Sequence, residues 1–361
     1  MNLRVKRAAI TVRGSSMTSV HLSETKRSFN TNSMNSRVAP ALLGRTRVSS
    51  LIAPLLLAVV LCFNLSVAEG QTTAARQEAK ADGFTPFVFA VLADPQIGMV
   101  EVKRDEENFA KVIAALNKLK PEVRPSIAFI AGDLINHAES GEERRIYNEV
   151  ARTFLMPVHV VPGNHDVVPT GTGKQLDQKL LEGYRRDVGA DRFAVTHHGS
   201  LFIGINSQFW KDAPDLAAEQ LSWLERQLRN RNRYRYVFII QHHPLYLAAA
   251  DEKDQYFNTP LAWRAKLLKL FEQAKVTAVL TGHLHRNLSG NYRGIAMLTT
   301  PSTCRNFDGS AFGYRTITVT ADGFTEQYVG VPGTLPDNRT SPSSQPTVTT
   351  TPSRSTANPT R

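Results

Sequence analysis

The 361-residue chain is short of three things, and each shortage removes a class of protein. It has two cysteines, Cys62 and Cys304. Cys62 falls in an N-terminal leader, so Cys304 has no partner in the mature body and no disulfide scaffold or Cys-rich structural zinc site is expected. It also lacks an apolar run of the roughly 20 residues that a spanning helix needs. Leu51–Phe63 is apolar over 13 residues and already contains Pro54. Finally, it lacks a basic body. The net charge is +11, but residues 1–68 carry nine Lys/Arg against one acid, Glu24, and the stretch from Pro336 carries three Arg against Asp337. The remainder stands near neutrality, so no basic nucleic-acid surface is expected.

The ends are read from composition. Residues 1–50 are rich in Ser, Asn and Arg with no apolar period. Arg45 and Arg47 precede the apolar run, and Ser66-Val67-Ala68 follows with small residues, the order of a secretory signal peptide. The expectation is a leader over 1–68, a linker over 69–83, one domain over 84–332, and a disordered Ser/Thr/Pro-rich tail over 333–361. Such a protein is exported, and touches a membrane only if the leader stays uncleaved.

Between the ends the chain alternates strand and helix patterns, which predicts an α/β fold. Phe109, Val112, Ile113 and Leu116 form one helical face. Helices are expected over 140–154 and 174–187, and from Pro214 with Leu221, Leu224 and Leu228 inward. Another starts with Thr259 as N-cap and Pro260 at the first helical position. Residues 192–196 and 201–206 read as a hairpin turning at His198-Gly199.

Five apolar stretches each end in a residue type that can ligate a metal. Phe87–Leu92 leads to Asp94-Pro95-Gln96, Ile127–Ile130 to Gly132-Asp133, and Val160-Val161 to Gly163-Asn164-His165-Asp166. Val237–Ile240 leads to Gln241-His242-His243-Pro244, and Val276–Leu280 to Gly282-His283-Leu284-His285. The carboxyl ends of sheet strands are where α/β folds place chemistry. Carboxylate and carboxamide oxygens mixed with imidazoles suit Mn, Fe or Zn. Two such ions about 3.5–4 Å apart form a clamp for in-line displacement at phosphorus.

The five blocks, in this order over residues 84–330, resemble the calcineurin-like metallophosphoesterase superfamily. The first block departs from the superfamily pattern, with Gln96 in place of a histidine. That Asp-Pro-Gln form, with Asn206-Ser207-Gln208-Phe209 and Tyr256-Phe257-Asn258, is similar to a branch reported as Ser/Thr-protein phosphatases. The resemblance implies a four-layer α/β/β/α sandwich of two mixed sheets. It implies two divalent ions, the first on Asp94, Gln96 and His285, the second on Asn164, His242 and His283, with Asp133 bridging. His165 would be the general acid, oriented by Asp166, and a hydroxide between the ions the nucleophile. Asn136 and Arg305 are candidates to touch substrate. Gln96 is either a ligand or an outer residue, His243 a supporting histidine, and His197-His198 part of a hairpin turn. The expected activity is phosphate-ester hydrolysis, as a phosphomonoesterase or protein phosphatase. The alternatives are a cyclic-nucleotide or other phosphodiesterase, or a non-catalytic metal-binding module if Gln96 ligates poorly.

Overall fold

The computed structural model describes residues 83–171 and 173–334; the leader, most of the linker and the end of the chain lie outside the described residues. Two mixed sheets face each other. The first has β1 (Phe87–Leu92), β2 (Ile127–Ala131), β3 (Val158–Val161), β10 (Gly313–Val319) and β11 (Phe324–Gly330), in the order β11-β10-β1-β2-β3. The second holds β4 (Phe193–His197), β5 (Ser200–Gly204), β6 (Tyr236–Ile240), β7 (Ala278–Thr281), β8 (Leu288–Tyr292) and β9 (Ile295–Thr299), in the order β4-β5-β6-β7-β9-β8. β1, β2 and β3 run parallel, as do β5, β6, β7 and β9. Antiparallel hairpins finish the edges. Parallel strands of this kind must be covered on both faces, and the side-chain alternation shows how. Phe89 and Val91 point into the space between the sheets, with Phe129, Phe202, Phe238 and Leu280. Ala90 and Leu92 point the other way, into a cluster shared with helix residues.

Those helices are α1 (Val102–Asn117), α2 (Gly141–Ala151), α3 (Asn164–Val167), α4 (Gln178–Asp187), α5 (Phe209–Asp212), α6 (Pro214–Leu228) and α7 (Leu261–Gln273). The expected face of α1 is fully buried at Phe109, Val112, Ile113 and Leu116. Ser140 caps α2 by accepting from the Glu143 amide, and Asp177 caps α4 by accepting from Lys179 and Leu180. The start of α7 differs from expectation by one residue. Pro260 flanks the helix, the Thr259 hydroxyl donates to the Pro244 carbonyl, and Asp254 accepts from the Leu261 amide instead. A fold-back contact outcompeted the local cap. In α6 the inner stripe is Ala217, Leu224 and Leu228, with Leu221 only partly covered. The β4–β5 turn sits where expected, with His198 and Gly199 at φ 43° and 69°, the left-handed pair a tight hairpin requires. Strand β8, a largely exposed edge, carries no alternating pattern and was not anticipated. No helix among the described residues is long and apolar enough to cross a membrane.

Candidate metal centre

The parallel strands all finish at one end, and the loops leaving them are laced together. The Asp94 amide donates to Gly132 O at 3.0 Å, Gln96 to Asp133 O at 2.9 Å, and Gly282 to His242 O at 3.1 Å. The backbone there is strained. Of eight described non-glycine residues at positive φ, five are Asp94, Gln96, Asp133, His283 and His285. Each such residue costs about 1–3 kcal/mol, and concentration of that cost at one place is the mark of a site held by its surroundings. His283 and His285, at φ 69° and 51°, both lie in the left-handed region. Close approach calls for glycine at two points. A Cβ on Gly163 would lie 2.1 Å from Asp133 Oδ1, and one on Gly282 would lie 2.5 Å from Asp94 Oδ2.

Six side chains converge. His242 Nε2 lies 3.2 Å from Asp133 Oδ2, 3.2 Å from Asn164 Oδ1 and 3.0 Å from His283 Nδ1. His285 Nε2 lies 3.4 Å from Asp94 Oδ1, and the His283 amide donates to the same carboxylate. Ligating atoms of Asp94, Asp133 and His242 fall within 4.8 Å of one another, as do those of His242, His243 and His283. All but Asn164 are buried, and Asn164 is half-buried. Charge is coupled across the group. Burial alone would depress His242, yet the Asp133 carboxylate raises it to about 9. Burial alone would raise Asp133, yet His242 and its neighbours hold it well below the usual carboxylate range. Burial drives His283 and His243 well below the usual imidazole value.

The imidazoles are oriented through their other nitrogens. His242 Nδ1 donates to Ala131 O at 2.8 Å, and His285 Nδ1 to Arg305 O at 2.6 Å, which leaves each Nε2 for the centre. His243 Nδ1 meets the Ser207 hydroxyl at 2.9 Å, which explains a use for Asn206-Ser207-Gln208. Gln96 is buried, its Nε2 donating to Asn136 Oδ1 at 3.2 Å. Its Oε1 has no hydrogen-bond partner, and neither does His283 Nε2. Unpaired buried acceptors beside clustered carboxylates and imidazoles fit a cation, because a bound ion satisfies donor atoms that the protein leaves unpaired.

Two further expectations are altered by the geometry. Asp166 does not touch His165. Its carboxylate accepts from the amides of Leu134, Ile135 and Gly163, so it staples the β2 and β3 loops together. His165 Nδ1 instead meets the Asn136 carbonyl at 2.8 Å. The Asn136 carboxamide is committed at both ends, to Gln96 and to His137, so it acts on the site through Gln96. Arg305 is exposed, its guanidinium 5.4 Å from the Phe307 ring, and its carbonyl adds an unforeseen hold on His285. Tyr256 follows no strand, yet its hydroxyl accepts from Asn164 Nδ2 at 3.1 Å. His197 and His198 lie away from the group, against Phe87, with His197 Nε2 2.7 Å from Ser126 Oγ.

Comparison with known proteins agrees with the geometry. The family model for the calcineurin-like phosphoesterase matches residues 87–287. The serine/threonine-protein phosphatase CPPED1 of Bos taurus is 33% identical over 270 residues, covering 67% of this chain and 83% of that protein. The 3′,5′-cyclic adenosine monophosphate phosphodiesterase CpdA of Escherichia coli K12 is 28% identical over 220 residues, covering 58% and 76%. Among solved structures, a dimetal phosphatase from Danio rerio superposes with a TM-score of 0.50 at 15% identity, covering 68% of this chain and 97% of that one. A purple acid phosphatase from yellow lupin gives 0.52 at 15% identity, covering 70% and 52%. These two support the fold. The five strand-end blocks, the convergence of their side chains and the match over residues 87–287 together place the chain in the calcineurin-like phosphoesterase family, as a metal-dependent hydrolase of phosphoric esters.

Proposed function

We propose that the enzyme hydrolyses phosphomonoesters at a dinuclear centre, with two ions of the Mn, Fe or Zn class. Asp94, Gln96 and His285 would hold one ion, Asn164, His242 and His283 the other, and Asp133 both. Ions there supply Lewis acidity, polarising a phosphoryl oxygen and lowering the pKa of water. The observation that carries the reading is the meeting of Asp94, Asp133, Asn164, His242, His283 and His285 in one buried cluster. Asn164 brings an oxygen without charge, which preserves the site's positive potential for a phosphate dianion.

The chain's own residues complete the site. His165, held at Nδ1 by the Asn136 carbonyl, presents Nε2 to the oxygen of the leaving alcohol and protonates it. The exposed Arg305 guanidinium lies beside Phe307, whose ring stacks on His285 at 5.2 Å, so it can reach phosphate oxygens from that side. The similarity to a protein phosphatase over 83% of its length supports monoesters as substrates. The phosphodiesterase named above is matched over a smaller share of this chain, and makes diesters the second reading.

One experiment tests this. The purified chain is loaded with Mn²⁺, Fe²⁺ or Zn²⁺, its bound metal is measured, and p-nitrophenyl phosphate and bis(p-nitrophenyl) phosphate are offered. Two bound ions and faster turnover of the monoester are expected, with both diminished in Asn164→Ala. Faster turnover of the diester moves the assignment to phosphodiesterase. Bound metal without turnover of either means a binding module.

A further inference from the structure

Gln255–Asn258 has no regular secondary structure, yet it is closely tied down. Lys211, on α5, directs its ammonium to three carbonyls of this one segment: Gln255 at 2.9 Å, Tyr256 at 3.0 Å and Asn258 at 2.7 Å. Asn258 closes the segment on itself, accepting from the Gln255 amide at 3.0 Å and donating to Lys253 O at 3.0 Å and Glu252 Oε1 at 2.6 Å. An ammonium has three donors, and here all three are used on backbone oxygens, so the cation dictates the path of the segment.

What the pinned segment delivers is Tyr256. Its hydroxyl accepts from Asn164 Nδ2 at 3.1 Å, and its ring lies 5.0 Å from that of His283. A carboxamide has two unlike ends: only its oxygen can face a cation, and its NH₂ needs an acceptor. By occupying Nδ2, the tyrosine hydroxyl turns Asn164 Oδ1 toward His242 Nε2, 3.2 Å away. The ring at the same time limits how far the His283 imidazole can swing.

We infer that Tyr256 is a positioning residue for Asn164 and His283, held in place by the Lys211 clamp on segment 255–258. The inference rests on the metal reading proposed above, since it assigns Tyr256 to the ligands of one ion and not the other. Residues outside the ligand set that orient ligands commonly change metal affinity by about 10–100-fold.

Tyr256→Phe tests it, because the ring stays and only the acceptor oxygen goes. The chelator-stripped full chain is titrated with Mn²⁺ by equilibrium dialysis, alongside thermal unfolding. One of the two ions is expected to bind about 10–100-fold more weakly, the other as in wild type, with lost turnover recovered at raised Mn²⁺. Lys211→Met should produce the same split. Wild-type affinity for both ions in Tyr256→Phe overturns the inference. So does an equal loss at both ions accompanied by a lower unfolding temperature, which would mark a structural role only. If the wild-type chain neither binds two ions nor turns over p-nitrophenyl phosphate, the phosphoesterase assignment itself has failed, a result readable before any variant is made.

Discussion

The same strands carry two environments, one along their length and one at their ends. Between the sheets, Phe89, Phe129, Phe202 and Phe238 pack at ring distances of 4.7–5.8 Å, edge-on or stacked, all fully buried. A few residues further along, Asp94, Asp133, His242 and His283 are also almost wholly buried. Burial is thus nearly equal, and what differs is how it is satisfied. The aromatic layer needs only shape, and its backbone stays in regular strand. The polar end depends on specific partners for its oxygens and nitrogens, and its backbone enters the left-handed region. Stability is therefore expected to reside in the first region and chemistry in the second.

The widest expected effect comes from His165. Removing a proton donor typically slows chemistry by about 10²–10⁴-fold, so His165→Ala should lower kcat by that much. Because it gives up a single hydrogen bond, stability should fall by no more than about 1 kcal/mol. Steady-state kinetics with an alkyl phosphate such as glycerol phosphate, whose alkoxide leaving group needs the proton, and urea unfolding check the two halves. Phe129→Ala should do the reverse. Truncating a buried Phe costs about 3–5 kcal/mol, visible in the unfolding midpoint, while metal stoichiometry should remain at two ions. If it abolished metal binding in the folded protein, the two regions would not be separable.

The smallest effect sharpens the boundary by pH. His159 is half-buried in β3, stacked 6.0 Å from Phe129 and tilted 5.1 Å from Phe193, and burial lowers its pKa below the usual 6.5. Between that lowered value and 6.5 the unfolded chain holds the proton and the folded chain does not, so stability falls as pH drops through this window. Below the folded value the loss is complete. His159→Phe should remove this residue's share of the acid sensitivity, measured as the drop in unfolding free energy between about pH 7 and about pH 5 in variant against wild type. An unchanged pH dependence would mean that the aromatic layer does not desolvate this ring.

How far the site could be read in advance depended on which chemical group did the work. Candidate ligands are recognised by residue type, so Asp94, Asp133, Asn164, His242, His283 and His285 were legible at their strand ends. The caps at Ser140 and Asp177 were local enough to fall near the expected helix starts. The cap of α7 was not, because Thr259 found a partner 15 residues away at Pro244. The partner of Asp166 was not legible either. The resemblance pairs it with His165, whereas three amides from two loops surround the carboxylate.

The order of apolar strands and strand-end ligands was written in the amino-acid sequence itself, because burial period and ligand chemistry are properties of residue type. Tertiary structure alone decided which nitrogen of each histidine and which end of Asn164 and Gln96 faces the centre, and where Tyr256 comes to rest. Those choices are made by backbone carbonyls of Ala131, Asn136 and Arg305 and by a lysine clamp from another element. A carbonyl is the same group at every residue, so its part in the site leaves no trace in the sequence until the chain is folded.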